Sequence, residues 1–194
     1  MEQISVFDML KIGVGPSSSH TLGPWRAIQK WIEELKDLNQ FNQVKEVSVE
    51  LYGSLSLTGI GHATDKALML GLSGTDPEFI PVEDIEDIIS SIEETKQINF
   101  GGEKMIRFNV SEHILFKKEF LSFHSNGMIV RALLDDNSHL TETYFSIGGG
   151  FVVKENEKQE STPLETRKEL PFPIEKGKDI ALHCKSQEKN IAEI

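Results

Sequence analysis

The spacing of apolar residues changes near residue 100, and this change limits the folds that the chain can adopt. Before that point, apolar residues recur every three or four positions, as in Leu22, Trp25, Ile28, Ile32, Leu35 and Leu38. This spacing is typical of amphipathic helices, and we expect helices at about 20–39, at about 64–72 and within PVEDIEDIISSIEETKQ (81–97). One alternating segment, VKEVSVELYG (44–53), interrupts them and predicts a strand.

After residue 100 the pattern is typical of strands. Four segments alternate or are rich in β-branched and aromatic residues, and polar turns separate them: KMIRFNV (104–110), HILFKKEFL (113–121), GMIVRALLD (127–135) and TETYFSIGGGFVV (141–153). They predict an antiparallel sheet of three or four strands. We therefore expect an α+β fold with helices packed on a mostly antiparallel sheet, whose strand order the pattern does not determine.

The C-terminal part of the chain has a different composition. The segment KENEKQESTPLETRKELPFP (154–173) is highly charged and contains three prolines, which is typical of an exposed connector. A helix-like segment, IEKGKDIALHCKSQEKNIAEI, follows it. We expect a core domain over residues 1–154, and a connector with a helical segment over residues 155–194.

Charge and hydropathy exclude several classes of function. The formal net charge of −11 would repel nucleic acid, so we expect no nucleic-acid partner. No apolar run approaches the ~20 residues that span a bilayer, and the N-terminus lacks a signal-peptide pattern. We therefore expect a cytoplasmic protein without a membrane partner. The single cysteine, Cys184, excludes an internal disulfide, and no residue spacing predicts a metal site in this chain.

The segment IGVGPSSSH (12–20) is the most unusual part of the sequence. It places the hydroxyls of Ser17, Ser18 and Ser19, followed by His20 and Thr21, directly before an apolar helix. A helix N-cap is the common role of such serines, but a cap needs only one hydroxyl. If the helix begins near His20, these hydroxyls and the free N–H groups of the first turn converge, and a carboxylate or phosphate would bind there.

A second polar cluster is TGIGHATD (58–65). His62 lies between a Gly-rich turn and a helix, and Asp65 is close enough in sequence to orient its imidazole. The alternative is a simple helix entry in which Thr64 or Asp65 is the cap residue.

Two further segments combine glycine with polar residues. In FHSNGMIV (123–130), His124 and Asn126 flank a predicted turn, because Asn-Gly favours hairpins. In SIGGGFV (146–152), the glycines at 148–150 indicate either a bulge or a ligand that approaches the backbone. The other histidines, His113, His139 and His183, have no such polar neighbours and are interpreted as surface or packing residues.

Four segments together resemble the β portion of iron–sulfur-dependent L-serine dehydratase: SVFDMLKIGVGPSSSHTLGPWRA, LYGSLSLTGIGHATDKALMLGL, HSNGM and YFSIGGGFV. The resemblance implies conversion of L-serine to pyruvate and ammonia without pyridoxal phosphate. A four-iron (4Fe-4S) cluster with one open iron acts there as a Lewis acid, and its cysteines belong to a separate α portion, on the same chain or on a second subunit. We therefore expect the connector to lead into an α catalytic domain or subunit, and we expect a homo-oligomer.

The resemblance also implies roles for individual residues. His62 would be the catalytic base and His20 a second catalytic residue, and the other candidates would bind substrate: Ser17, Ser18, Ser19, Thr21, Thr64, Asp65, Asn126, Gly148 and Gly149. Where the family has His-Pro-Asn-Gly, this chain has Ser125 in place of proline, which loosens the turn but keeps its polar atoms.

A different function stays open. The same segments resemble a domain that binds effectors in some phosphoglycerate dehydrogenases, so the chain could be a regulatory module for an anion or amino acid. His62 separates the two hypotheses, because a sensor needs hydrogen-bond donors for a carboxylate but no base.

Overall fold

The computed structural model describes residues 13–155, 172, 174 and 176–193. The chain divides into two compact units. The larger unit comprises Ile12–Glu157, and the smaller one comprises Met1–Lys11 and Lys158–Ile194. Most of the predicted connector, and the N-terminal segment before residue 13, lie outside the described residues.

Among its described residues the larger unit contains five α-helices: α1 Leu22–Asp37, α2 Gly53–Leu57, α3 Thr64–Leu72, α4 Val82–Thr95 and α5 Val110–His113. Two 3₁₀ turns, Phe41–Gln43 and Ile60–His62, join them to their neighbours. The helices predicted at 20–39, 64–72 and 81–97 are confirmed within two residues at each end. Pro24 lies in the first turn of α1, where the N–H that proline lacks has no helical partner.

Seven strands form two sheets in this unit: β1 Val44–Tyr52, β2 Gln97–Phe100, β3 Lys104–Arg107, β4 Ile114–Phe116, β5 Asn126–Leu134, β6 His139–Gly148 and β7 Phe151–Lys154. The main sheet has the order β4-β1-β5-β6-β7. Adjacent strands in this sheet are antiparallel, except for the pair β1 and β4, which is parallel. The mostly antiparallel α+β architecture is therefore confirmed.

Three predicted strands differ from the structure. The segment 141–153, predicted as one strand, forms parts of two, β6 and β7, which are separated at the glycines. The segment 104–110 does not join the main sheet; its β3 pairs with β2 in a separate hairpin, and β2 was not predicted at all. In the segment 113–121 only Ile114–Phe116 is a strand. The charged residues after it, Lys117–Glu119, form no strand, although the Lys117 N–H still donates to the Leu51 carbonyl and the Glu119 carbonyl accepts the Gly53 N–H.

The core of this unit lies between the main sheet and the helices. Alternate residues of β1, Val47, Val49 and Leu51, are fully buried, as the alternating pattern predicts. They belong to one apolar cluster with Trp25 and Ile28 of α1. On the opposite face of the sheet, β1 carries half-exposed polar side chains, among them Ser48 and Glu50.

The smaller unit has one described helix, α6 Gly177–Gln187, which the sequence predicted. The Lys176 N–H donates to the Asp179 carboxylate (2.8 Å) and so caps its N-terminus. Cys184 is half-buried, and the His183 ring lies 5.7 Å from that of Phe172. Nowhere among the described residues is there a helix both long and apolar enough to cross a bilayer.

Candidate functional site

The four polar clusters of the sequence meet at one end of the main sheet. β1 ends there, and the antiparallel β5 begins opposite it, at Asn126. β6 ends there too, at Gly148, because it runs antiparallel to β5. The N-terminal end of α1 lies against the same edge, since Gly23 packs on Ser146. A sheet with this strand order therefore brings together segments that are far apart in sequence.

His20 is buried in a cage of hydroxyl groups and is only 8% exposed. On one side of the ring, Nδ1 lies 3.0 Å from Ser19 Oγ and 3.4 Å from Ser17 Oγ. On the other side, Nε2 lies 3.0 Å from Thr58 Oγ1, 3.2 Å from Ser54 Oγ and 3.3 Å from the Ser54 carbonyl. Burial lowers the pKa of His20 from its ordinary value, against the hydrogen bond to the Ser54 carbonyl, which raises it. The ring is therefore neutral at physiological pH.

His62 lies beside this cage, and its ring centroid is 4.6 Å from that of His20. Its Nδ1 is 2.9 Å from the carbonyl oxygen of Thr58. A carbonyl only accepts, so Nδ1 carries the proton and Nε2 has a lone pair. Within the described part of the chain, Nε2 has no hydrogen-bond partner, and the side chain is half-exposed. This nitrogen is thus available to accept a proton.

The serine segment (residues 17–21) is held by its backbone. The N–H groups of His20 and Thr21 donate to the Ser17 carbonyl, and the Gly23 N–H donates to the Ser18 carbonyl. Thr21 Oγ1 also donates to the Ser17 carbonyl (2.8 Å). No side chain caps α1, so the simple N-cap interpretation of the serines is wrong.

The first turn of α1 offers few free N–H groups to the serine hydroxyls. The helix begins at Leu22 rather than at His20, the Gly23 N–H is already bonded, and Pro24 has none. The hydroxyls are therefore the main donors for an anion at this site.

Asp65 does not orient His62 in this structure. No hydrogen bond joins these two described side chains, because Ala63 between them adopts a left-handed conformation (φ 58°) and Asp65 lies in the first turn of α3. Thr64 is fully buried, and its hydroxyl has no hydrogen-bond partner among the described residues. The group that orients His62 is the Thr58 carbonyl instead.

Asn126 is the first residue of β5 and not part of a hairpin turn, which corrects the prediction from Asn-Gly. Its side-chain amide donates to the Ser146 carbonyl (3.1 Å), and its backbone N–H donates to His124 Nδ1 (3.1 Å). The preceding Ser125 carbonyl accepts the Ser54 N–H (2.7 Å). The start of β5 is therefore bonded to the end of β6 through Asn126, and to the segment that holds His20 through Ser125.

The three consecutive glycines form the turn between β6 and β7. All three have positive φ, at 99° for Gly148, 59° for Gly149 and 77° for Gly150, a conformation that favours glycine. The register shifts between Ser146 and Gly148, as the bulge interpretation predicts. A Cβ on Gly150 would lie 2.6 Å from Leu22, so this turn packs on the start of α1.

Sequence reasoning missed Ser54 and Thr58, which hold the two imidazoles. A signal was present, because Ser54, Thr58 and His62 follow one another at four-residue spacing, which places them along one side of a helical segment. The other histidines match their interpretation: His113 is buried and stacks on Phe108 (5.3 Å), and His139 is exposed.

The chain does not contain the ligands of an iron–sulfur cluster. Such clusters are held by several thiolates, and this chain has one cysteine. In the described ranges, no three His, Cys, Asp or Glu side chains are grouped so that they could hold a metal ion.

Comparison with known proteins agrees with the sequence motifs. The family described as "Serine dehydratase beta chain" matches residues 5–157. An L-serine dehydratase of Haemophilus influenzae is 41% identical over 185 residues, which cover 93% of this chain and 40% of that protein. L-serine dehydratase 2 of Escherichia coli is 40% identical with the same coverage, and an L-serine dehydratase of Streptomyces coelicolor is 39% identical over 91% of this chain and 39% of its own. The chain thus spans about two fifths of the length of these relatives. By the extent of these matches, the chain belongs to the serine dehydratase beta chain family.

Proposed function

We propose that this chain is the β portion of an L-serine dehydratase and that it contributes substrate-binding groups and a base to an active site completed by another portion of the enzyme. Family membership and the names of the relatives support the activity. The observation that carries the assignment of the base is the unbonded Nε2 of His62, next to a second imidazole in a hydroxyl cage.

The reaction removes a proton from Cα of L-serine and hydroxide from Cβ, which leaves an enamine; its imine tautomer is hydrolysed to pyruvate and ammonia. In our proposal the lone pair on His62 Nε2 accepts the α-proton, and the resulting positive charge is shared with Nδ1, which the Thr58 carbonyl stabilises. His20 stays neutral, because burial disfavours its charged form. A neutral neighbour avoids repulsion of the imidazolium that forms on His62.

The serine hydroxyls supply the polar groups for the substrate. Ser18 is exposed and Ser17 is half-buried, so their hydroxyls can donate to a carboxylate, whereas the Ser19 hydroxyl lies 3.0 Å from His20 Nδ1 and would act on the substrate through that ring. Thr21 is less suited to this role, because its hydroxyl proton is committed to the Ser17 carbonyl. Asn126, Gly148 and Gly149 would line the site from the sheet side, with Thr64 and Asp65 beneath it.

The proposal places the four-iron cluster in the α domain or subunit, because the residues of this chain do not fit it. Pyridoxal phosphate has no part in the proposed reaction. We propose the division into a core over 1–154 and a connector over 155–194 that leads to the α portion, and we propose a cytoplasmic homo-oligomer.

A regulatory role is the second candidate. Both nitrogens of His20 are committed to hydroxyl or carbonyl partners, so this cage would bind the carboxylate of an effector without any proton transfer. In that case His62 would be a further hydrogen-bonding group rather than a base.

The test compares histidine variants of the complete enzyme. We expect His62→Ala to lower kcat about 10²–10⁴-fold, the usual contribution of general-base catalysis, whereas His20→Ala weakens substrate binding more than turnover. Pyruvate formation and exchange of the serine α-deuterium with solvent are measured in both. His139→Ala is the matched control, because this exposed histidine lies at the opposite end of β6.

Normal turnover and normal α-deuterium exchange in His62→Ala would refute the assignment of the base. If that variant instead loses only its response to added L-serine or to another effector, the regulatory role is correct.

A further inference from the structure

Thr58 contacts both histidines of the candidate site, through two different oxygens. Its Oγ1 lies 3.0 Å from His20 Nε2, and its carbonyl oxygen lies 2.9 Å from His62 Nδ1. The two rings are 4.6 Å apart, so a single residue joins them.

The direction of each hydrogen bond follows from the partners. The Thr58 hydroxyl donates its proton to the Ser54 carbonyl (2.9 Å), which leaves only lone pairs toward His20. His20 Nε2 must therefore be the donor, and it also faces the Ser54 carbonyl. His20 Nδ1 is then the acceptor, and it receives the Ser19 hydroxyl at 3.0 Å.

The carbonyl contact gives His62 the opposite tautomer. A carbonyl oxygen has no proton, so His62 Nδ1 carries one and Nε2 does not. Free histidine in water favours the Nε2–H form, so the protein has reversed the ordinary preference at this ring. The two rings therefore differ in the nitrogen that carries the lone pair and in its partner. In His20 the lone pair is on Nδ1 and accepts the Ser19 hydroxyl, whereas in His62 it is on Nε2 and has no hydrogen-bond partner in the described residues.

We propose that Thr58 is a positioning residue that holds His20 and His62 in opposite tautomers, so that His62 alone offers a ring nitrogen, Nε2, to the substrate proton. The last clause rests on the proposed function, whereas the tautomers follow from the hydrogen bonds alone. Thr58 acts through the two imidazoles and touches no reacting atom.

The tautomers are measured by ¹H–¹⁵N correlation of the histidine rings in the full 194-residue chain, at about pH 8. His20→Gln and His62→Gln identify the two sets of signals. We expect Nε2–H at His20, with an N–H resonance protected from solvent, and Nδ1–H at His62. An Nε2–H form of His62 or an Nδ1–H form of His20 would overturn the proposal.

Two variants test the hydroxyl. Thr58→Val keeps the shape but removes the oxygen, and we expect it to shift the His20 N–H signal, because only the Ser54 oxygens remain as acceptors, and to lower kcat of the complete enzyme roughly three- to tenfold. Thr58→Ser restores the oxygen and should recover both. An unchanged His20 signal and unchanged kcat in Thr58→Val would contradict the proposal.

The outcome is separable from that of the proposed function. If the tautomers are as expected and His62→Ala still turns over normally, the function is wrong and the Thr58 arrangement stands.

Discussion

At the scale of single residues, two neighbouring imidazoles differ in their surroundings rather than in their chemistry. His20 is enclosed by four hydroxyl-bearing residues and buried, so its charged form is disfavoured. His62 is half-exposed and has one bonded nitrogen and one unbonded nitrogen. The environment therefore favours different roles for two identical side chains, as is common where titratable groups lie close together.

The adjacent serines allow this difference to be tested. Ser19→Ala removes the hydroxyl that donates to His20 Nδ1, whereas Ser18→Ala removes an exposed hydroxyl without a contact to His20. The Ser18 hydroxyl is free to donate to the substrate carboxylate, so Ser18→Ala should raise KM roughly tenfold to a hundredfold. Only Ser19→Ala should change the His20 ring ¹⁵N signals, because its hydroxyl proton is given to His20 Nδ1. Steady-state kinetics of the two single variants of the complete enzyme measure the first effect; unchanged KM in Ser18→Ala would show that this serine does not bind substrate.

At the scale of elements, the site depends on how closely α1 approaches β6. A Cβ on Gly23 would lie 1.9 Å from Ser146 Oγ and 2.7 Å from Ser146 Cβ. Gly23 therefore lets the first turn of the helix lie directly on the strand. The same contact positions the serine segment, because the Gly23 N–H holds the Ser18 carbonyl.

Gly23→Ala should consequently destabilise the chain by about 1–3 kcal/mol, the usual cost of adding a methyl group to a tightly packed contact. Gly61→Ala is the matched control, since a Cβ there meets no atom within 4 Å. Urea unfolding of both variants, compared with the parent chain, measures the difference. Equal stability of Gly23→Ala and the parent would mean that α1 does not pack on β6 as described.

At the scale of the whole molecule, the candidate site lies at one end of a sheet in a chain that spans about two fifths of its relatives. The site offers hydroxyls and imidazoles but lacks the ligands for an iron–sulfur cluster. A composite site, shared with another portion of the enzyme, would supply what these residues do not.

The 194-residue chain alone should therefore form no pyruvate from L-serine. The assay is done anaerobically, with iron and sulfide supplied, and the complete enzyme is the positive control. Pyruvate formation by the chain at a rate comparable to that of the complete enzyme would disprove the composite site.

The sequence by itself determined the helices and most strands, because their periodicity depends on residues only two to four positions apart. It also determined the family, since motifs such as SVFDMLKIGVGPSSSHTLGPWRA and LYGSLSLTGIGHATDKALMLGL are unusual in their residue order. It located the serine segment, His62 and the three glycines, because such residues are rarely placed in ordinary core elements.

Only the tertiary structure decided the strand order, the parallel pairing of β4 and the partners of each histidine. The contact between Thr58 and His20 joins residues 38 positions apart, and that between Asn126 and Ser146 joins residues 20 apart. Such contacts depend on how helices and strands pack, and local spacing carries no information on this. For the same reason the sequence suggested Asp65, the nearest carboxylate, as the partner of His62, whereas a backbone carbonyl, present at every residue, is the group that orients it.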